Sequence, residues 1–196
     1  GTRTAGECLR ISLSSFRCAD DEALLALIRS QEIRPGFHDF VRFCSEQGLE
    51  LSIVSDGFSI YIRHILEHHG LQHLPVWTNE IELQADGSLS ATLRNEREGC
   101  ASCASCKCAR LLTSSSDEDT IVYIGDGFSD HCPVALADVV FARDALLAEC
   151  SAQGIPYHPF HDFDEIREHV VRYLRERPKY RREQAHRRRR ELITQE

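Results

Sequence analysis

The sequence predicts an α/β fold built mainly on a parallel sheet, and three observations support this prediction. Apolar β-forming runs alternate with segments of helical period, which is the pattern of βαβ units. The tetrapeptide Asp-Gly-Phe-Ser occurs twice, at Asp56–Ser59 and at Asp126–Ser129, each time directly after an apolar run. We therefore expect two strands of one sheet to end at the same edge in similar turns. A chain of 196 residues suffices for one such domain.

The composition is that of a globular protein with an excess of acidic residues. Hydrophobic residues make up 42% and charged residues 28%, and the net charge of −8 argues against a general nucleic-acid-binding role. No apolar run approaches the roughly 20 residues that a membrane-spanning helix needs, and no leader of the secretory type opens the sequence. Nine cysteines, an odd number, favour thiols or a metal over disulfides. We therefore expect a cytoplasmic protein.

Four elements are predicted in the first part of the chain. They are a helix over Ala23–Ser30, a helix from Phe37 to Gly48, a strand over Leu49–Val54 and a helix over Ser59–His69. The first helix follows Asp20 and Asp21, residue types that cap helix N-termini. In the second helix apolar residues recur at i, i+3, i+4 and i+7, so we expect one buried face. Ser55-Asp56-Gly57 is expected to be the turn that ends the strand.

The second part is predicted to contain a hairpin and further βα units. Ala85-Asp86-Gly87-Ser88 has the Asp-Gly signature of a tight turn. The predicted elements are strands over Pro75–Leu83 and Leu89–Leu93, a helix to about Leu112, a strand over Ile121–Ile124, a short helix after Pro133, a strand over Val139–Phe141, and helices over Asp144–Gln153 and from Phe163 to about Arg177. This alternation implies a mainly parallel sheet.

The stretch from Ile121 to Asp130 carries the strongest functional signal. Four apolar residues, which suit a strand buried on both faces, run into a turn with Asp126 and Asp130. Ligands of open α/β sheets bind where strands end, so we expect these carboxylates at a site. Such oxygen ligands suit Mg²⁺, which takes one or two protein carboxylates together with substrate phosphate. An ordinary strand-to-turn junction, in which Asp126 caps the next helix, is the alternative.

Three motifs together resemble those of the haloacid-dehalogenase-like (HAD) phosphatases. They are Ile53-Val54-Ser55-Asp56-Gly57, then Cys106-Lys107, then Tyr123 to Asp130, in the order and spacing of the family's second, third and fourth motifs. The segments Ala137–Asp144 and Pro159–Phe163 look more narrowly like the branch of phosphoserine phosphatase and methylthiopentenyl-phosphate phosphatase. The resemblance covers about Gly36 to Leu174 and implies a Rossmannoid three-layer fold.

This resemblance implies Mg²⁺-dependent hydrolysis of small phosphorylated metabolites through an aspartyl-phosphate intermediate. By the same resemblance, Ser55 binds a phosphoryl oxygen, and the amide of Asp56 or Gly57 adds a second donor. Lys107 is implied to neutralise the phosphate and the nucleophile. The alternatives are a helix cap for Ser55 and an exposed first-turn position for Lys107.

The carboxylates complete the implied site, with one departure from the family pattern. Asp126 is implied to bind Mg²⁺ directly, and Asp130 to act through water or by holding Lys107. The family's first motif, an Asp-x-Asp after an apolar strand near the N-terminus, supplies the nucleophile and the acid, and it does not occur in these residues. Asp162-Phe163-Asp164 lies near the C-terminus ahead of a predicted helix, where the family has no nucleophile. We expect these 196 residues to be inactive, and the Gly1 start and the lack of methionine to mark a fragment or processed product. A non-catalytic phosphate-binding or metal-binding protein is the alternative.

The family pattern also divides the chain. Residues 1–34 are expected to be the remnant of a helical cap, residues 35–177 the core with a hairpin and Cys-rich insertion at 75–108, and residues 178–196 an Arg-rich tail. We expect the tail to be a solvated, frayed helix, because no aromatic residues interleave with its arginines, and nucleic-acid binding is the alternative. The sequence does not indicate an oligomeric state.

The cysteine cluster has two open interpretations. The thiols of the cluster are those of Cys100, Cys103, Cys106 and Cys108. Zn²⁺ would take two or three of these thiolates with a ligand from elsewhere, because four in so short a run rarely surround one tetrahedral ion. A reduced, packed turn is the alternative.

Overall fold

The structure is a computed structural model that describes residues 5–14, 21–84, 88–93, 105–116, 118–176 and 182–193. In these ranges the helices are α1 (Ala5–Ser14), α2 (Asp21–Arg29), α3 (Phe37–Glu46), α4 (Ser59–His68), α5 (Lys107–Ser114), α6 (Asp144–Gln153), α7 (Phe163–Glu176) and α8 (Glu183–Ile193). The strands are β1 (Ile53–Phe58), β2 (Val76–Leu83), β3 (Leu89–Thr92), β4 (Val122–Gly125), β5 (Val139–Ala142) and β6 (His158–Pro159), and 3-10 turns cover Phe128–Asp130 and Pro133–Ala135. Among the described helices, none combines the length and apolar character needed to cross a bilayer.

Two compact units make up the chain. One contains residues 1–33 and 51–107, and the other contains residues 34–50 and 108–196. The first has a sheet in the order β1-β2-β3 and the second a sheet in the order β4-β5-β6. The prediction that the strands before the two Asp-Gly-Phe-Ser copies share one sheet is therefore wrong for the described residues. Those strands are β1 and β4, and their sheet hydrogen bonds go to β2 and β5 instead of to each other.

The sheet of the first unit is mixed. β1 runs parallel to β2, with Ile53 opposite Val76, and the register shifts before Phe58. β3 runs antiparallel to β2, and the amide of Gln84 donates to the carbonyl of Ser88 at 2.8 Å. The predicted antiparallel pair is therefore confirmed, although its turn residues 85–87 lie outside the described residues.

β1 lies further along the chain than predicted. Ser55-Asp56-Gly57 was expected to turn after Val54, whereas the strand covers Ile53–Phe58. The side chains of Thr78 and Asn79 in β2 donate to carbonyl groups of the expected turn, at 2.6 and 2.9 Å. These hydrogen bonds hold the backbone alongside β2, so the predicted turn is wrong here.

Two helices of the first unit, α2 and α4, match their predictions to within two residues, whereas α1 was not predicted. Of the two predicted cap residues, Asp21 is the first residue of α2 and Asp20 lies outside the described residues. α4 ends before Gly70, whose φ of 72° is the left-handed conformation that favours glycine. The buried apolar residues here are Ile28, Leu66, Leu71 and Leu74.

The sheet of the second unit is parallel, as predicted. Val122 pairs with Val139 across β4 and β5, and Phe141 pairs with His158 across β5 and β6. β5 forms the buried part of this sheet, because its last three residues are at most 1% exposed. The expectation that the β4 run is buried on both faces is wrong at Val122, which is 39% exposed at the first position of the strand.

α3 and α7 pack through aromatic rings. The ring centroid of Phe163 lies 4.7 Å from that of Phe37 and 5.4 Å from that of Phe40. Gly36 permits this approach, because a β-carbon there would lie 2.7 Å from the amide nitrogen of Asp164. The predicted buried face of α3 is confirmed, and its buried members are Phe40, Val41 and Cys44.

The Arg-rich tail differs from the predicted solvated extension. α8 covers Glu183–Ile193, and Arg182 and Arg189 are 6% and 2% exposed. Arg182 donates to two carbonyl groups of the 3-10 turn Pro133–Ala135, and Arg189 donates to the carbonyl of Leu136 at 2.6 Å. Composition shows the charge of these arginines but not the carbonyl groups that a short turn leaves to be satisfied. The prediction of a helical tail is confirmed, whereas the prediction that its arginines are solvated is wrong at Arg182 and Arg189.

Candidate functional site

The end of β1 carries the first group of predicted site residues. The amide of Gly57 donates a hydrogen bond to Oγ of Ser55 at 3.0 Å, which holds the hydroxyl against the backbone. In the described chain the N-cap residue of α4 is Phe58, and no side-chain cap hydrogen bond is made there. The helix-cap alternative for Ser55 is therefore not what the structure shows. Because Oγ accepts a hydrogen bond from the amide, its own proton can be donated to a ligand.

Tyr61 lies against this segment and was missed by the sequence analysis. A β-carbon added to Gly57 would lie 1.8 Å from Oη of Tyr61, 2.7 Å from its Cζ and 3.1 Å from Oγ of Ser55. Glycine is therefore required here for the phenol to approach the backbone. The signal that could have found Tyr61 is its spacing, since a residue four positions after Gly57 lies in the first turn of the following helix.

Two buried polar side chains of β2 support the same segment and were also missed. Thr78 and Asn79 are 2% and 0% exposed and bind the carbonyl groups of Gly57 and Asp56. Burying such groups is unfavourable unless they form hydrogen bonds, so their pairing fixes the position of the segment. Sequence patterning places both residues in a strand but does not identify their partners.

Asp130 organises the turn after β4. Its side chain is 5% exposed. Oδ1 accepts a hydrogen bond from the hydroxyl of Tyr123 at 2.7 Å, and Oδ2 accepts from the amides of Asp126 at 3.2 Å and Gly127 at 3.0 Å. Asp126, by contrast, is exposed. The structure thus brings the two predicted carboxylates together in one turn but gives them different environments.

Gly125 and α6 fix the position of this turn. A β-carbon at Gly125 would lie 2.7 Å from Oδ2 of Asp130 and 3.0 Å from Cδ2 of Leu146. The amide of Leu146 donates to the carbonyl of Asp126 at 3.2 Å. The backbone of Asp126 is therefore anchored to α6, although the residue itself is exposed.

Lys107 is the first residue of α5 and is 8% exposed. The alternative of an exposed first-turn residue is therefore wrong. Its neighbours Cys106 and Cys108 are 5% and 9% exposed, whereas Cys100 and Cys103 lie outside the described residues. Zinc binding by these four cysteines stays a prediction.

Comparisons with known proteins agree with the motifs. Residues 17–153 match the model of a family described as "Putative Phosphatase". The chain belongs to this phosphatase family. Its relatives include the 2-hydroxy-3-keto-5-methylthiopentenyl-1-phosphate phosphatase of Bacillus cereus (strain B4264), which is 29% identical over 147 residues, or 74% of this chain and 67% of that protein. The protein of the same name from Bacillus anthracis (strain CDC 684 / NRRL 3495) is 29% identical over 158 residues, or 79% of this chain and 70% of that protein.

The fold of this phosphatase-family chain is similar to that of a solved protein, the "probable phosphoserine phosphatase" from Vibrio cholerae in its unliganded form. The TM-score is 0.55 and the sequence identity 22%, over 73% of this chain and 44% of the other. The match confirms the predicted HAD-like α/β fold. This chain spans less than half the length of that solved protein.

The donor chemistry of the Asp126 turn fits Mg²⁺. In the described part of the chain, no three side chains of His, Cys, Asp or Glu come together as a metal site. Asp126 and Asp130 offer one or two carboxylates in one turn, and Mg²⁺ is usually bound by one or two carboxylates together with water and substrate phosphate. Asp126 would hold the ion, because Asp130 is already engaged by the turn amides and by Tyr123.

The predicted site residues of this family member form two local groups. Ser55, Asp56 and Gly57 lie at the end of β1, and Lys107 belongs to the same unit. Asp126 and Asp130 lie in the second unit, in the turn after β4. The roles in catalysis and metal binding implied for these residues, including a hold of Asp130 on Lys107, stay predictions.

Proposed function

We propose that the protein is a Mg²⁺-dependent phosphatase of small phosphorylated metabolites. The observation that carries the proposal is the turn after β4, in which Asp130 is buried and bonded to two amides while Asp126 is exposed. The family match supports the reaction class. Relatives named for a small phosphorylated metabolite support the substrate class.

Ser55, the adjacent amides and Lys107 bind the phosphoryl group in this proposal. Ser55 donates its hydroxyl proton to a phosphoryl oxygen while the Gly57 amide holds its Oγ. Lys107 supplies a compact positive charge from a buried position, where charge interactions are stronger than in water. Phosphoryl transfer depends mainly on such positioning and charge stabilisation.

Asp126 and Asp130 have separate tasks. Asp126 holds Mg²⁺, which when bound supplies positive charge to the phosphoryl oxygens. Asp130 keeps the turn in shape through the amides of Asp126 and Gly127, so that the Asp126 carboxylate projects from a fixed backbone.

An aspartyl-phosphate pathway also needs a nucleophilic carboxylate and an acid for the leaving group. The 196 residues contain no Asp-x-Asp after an apolar strand near the N-terminus, which is where the family's nucleophile motif lies. We propose that these residues bind phosphate and Mg²⁺ and that hydrolysis needs a further segment carrying that motif. The second candidate is a non-catalytic protein that binds phosphate or metal through the same residues.

The test compares this chain with the chain extended by the sequence encoded upstream in frame. Both are assayed with p-nitrophenyl phosphate and Mg²⁺, each as wild type, as Asp126→Asn and as the control Asp39→Asn, which alters an exposed ion pair with Arg42. We expect activity only in the extended chain and its control, and a loss of roughly a hundredfold in Asp126→Asn. Activity in the 196-residue chain refutes the proposed need for a further segment. Phosphate binding without turnover in either chain favours the non-catalytic candidate.

A cytoplasmic location and zinc at the cysteine cluster accompany this proposal. Cys106 and Cys108 are buried thiols on either side of Lys107. A metal bound by them would therefore help to fix the position of the lysine. Metal analysis of the purified protein tests the zinc. A stoichiometric ion supports it, and its absence after expression in zinc-supplemented medium favours the packed, reduced turn.

A further inference from the structure

We propose that Tyr61 is a substrate-binding residue, whose hydroxyl donates a hydrogen bond to the phosphoryl group beside Ser55. The inference rests on the proposed function and extends it to a residue outside the motifs. It concerns only the first unit, where the end of β1 and the start of α4 meet.

The first argument is the position of the phenol. A β-carbon added to Gly57 would lie 1.8 Å from Oη of Tyr61 and 3.1 Å from Oγ of Ser55. Both hydroxyl groups therefore lie on the same side of the Gly57 backbone. The hydroxyl oxygens of Ser55 and Tyr61 are both within 3.1 Å of the same β-carbon position. A phosphoryl group bound to Ser55 on that side would therefore be within reach of the phenol.

The second argument is the polarity of the segment. An anion requires donors, and backbone carbonyl groups facing it would be unfavourable. The carbonyl groups of Asp56 and Gly57 are bound by the buried side chains of Asn79 and Thr78. Oδ1 of Asp56 is also buried. The carbonyl oxygens of Asp56 and Gly57 are therefore already occupied by buried donors. The hydroxyl groups of Ser55 and Tyr61 lie together near the position that a β-carbon of Gly57 would take.

The third argument is the exposure of Tyr61. The side chain is 36% exposed, although its tip packs directly on the backbone of Gly57. A residue needed only to cover glycine would be served by phenylalanine, whereas a hydroxyl next to a serine hydroxyl, on a residue that is itself exposed, can bind a ligand.

The experiment measures binding of inorganic phosphate with MgCl₂ present, by titration calorimetry on the full 196-residue chain. The variants are Tyr61→Phe, Ser55→Ala as the positive control, and Tyr157→Phe as the matched control. Tyr157 bonds to Ser151 at 2.8 Å in the second unit. We expect Tyr61→Phe to raise the phosphate Kd roughly tenfold or more, because a hydrogen bond to a charged acceptor contributes at least that much. Tyr157→Phe should leave the Kd unchanged.

The outcomes separate this inference from the proposed function. If Ser55→Ala weakens phosphate binding and Tyr61→Phe does not, the role of Tyr61 is refuted and the proposed function stands. If the wild-type chain does not bind phosphate, the proposed phosphate site itself is refuted. All titrations are made well below the melting temperature of each variant, so that unfolding cannot imitate a loss of binding.

Discussion

The hydroxyl of Tyr123 donates a hydrogen bond to Oδ1 of Asp130 at 2.7 Å, between two side chains that are each 5% exposed. Tyr123 belongs to β4, and Asp130 closes the turn that follows it. The bond therefore joins a buried residue of β4 to the loop that carries Asp126. Predictions about this turn can be tested by changing either partner.

Tyr123→Phe should destabilise the protein by about 1–3 kcal/mol, because it leaves a buried carboxylate oxygen without one of its donors. Urea denaturation measures the change in the free energy of unfolding. Tyr157→Phe, which removes a more exposed tyrosine hydroxyl, should cost less. If both variants lost the same free energy of unfolding, the hydrogen bond to Asp130 would contribute no more to stability than that of Tyr157.

Gly125→Ala should destabilise the protein by about 1–3 kcal/mol, because the added carbon would lie 2.7 Å from Oδ2 of Asp130. Gly127→Ala is the matched control in the same turn, where the nearest described atom would be 3.6 Å away and φ is −101°. We expect that change to stay within about 0.5 kcal/mol. Thermal unfolding of both variants, with and without Mg²⁺, makes the comparison, and a larger loss in Gly127→Ala would contradict it.

Arg189→Met should destabilise the protein by about 3–5 kcal/mol, because it leaves Asp138 buried without its cation. The Nη1–Oδ2 distance is 3.0 Å, and the side chains are 2% and 0% exposed. Adding Asp138→Asn should recover part of the loss, since the buried charge is then removed. Arg188→Met, at an exposed position of α8, serves as the control and should change little. A double variant no better than Arg189→Met alone would argue against the ion pair as the cause.

The stability of the protein should fall as the pH drops below about 6.5, in part because of His158. Partial burial lowers the pKa of His158, and the charges of His169 and Arg172 act in the same direction. The unfolded chain then binds a proton at higher pH than the folded chain does, so acidification favours unfolding. His158→Gln should flatten the stability profile between pH 7 and pH 5, while the exposed control His73→Gln should not. Denaturation curves across this range decide the point.

Thiol reactivity should differ sharply between cysteines. Burial raises the pKa of Cys44 to about 11, so near pH 8 about one thiol in a thousand is ionised there. Burial also raises the pKa of Cys150, while Arg182 opposes this shift and Glu149 adds to it. Iodoacetamide followed by peptide mapping should label the exposed Cys8 and spare Cys44 and Cys150 until urea is added. Early labelling of Cys44 would show that α3 opens readily.

The sequence predicted the elements whose signals are local. α6 covers the predicted Asp144–Gln153, and Gly154 after it has a φ of 64°. α3 buries the face that its apolar spacing indicates. In such segments periodicity and glycine positions act within a few residues, so no knowledge of tertiary partners is needed.

Features that depend on distant partners were not predictable in the same way. β1 continues past Val54 because Thr78 and Asn79 hold it, and the Arg182 and Arg189 side chains are buried because they meet carbonyl groups some fifty residues earlier. A composition of arginine or threonine does not reveal such partners. The same holds for Tyr61, whose relation to Gly57 exists only in three dimensions.

The repeated tetrapeptide Asp-Gly-Phe-Ser shows how neighbours reverse the character of one short sequence. At Asp56–Ser59 the side chains of β2 donate hydrogen bonds to the carbonyl groups, and this is where we propose that an anion binds. At Asp126–Ser129 the carboxylate of Asp130 accepts hydrogen bonds from the amides, and this is where we propose that a cation binds. Exchanging the residues that flank the two copies, with the tetrapeptides left untouched, would therefore exchange their ligand charge preference.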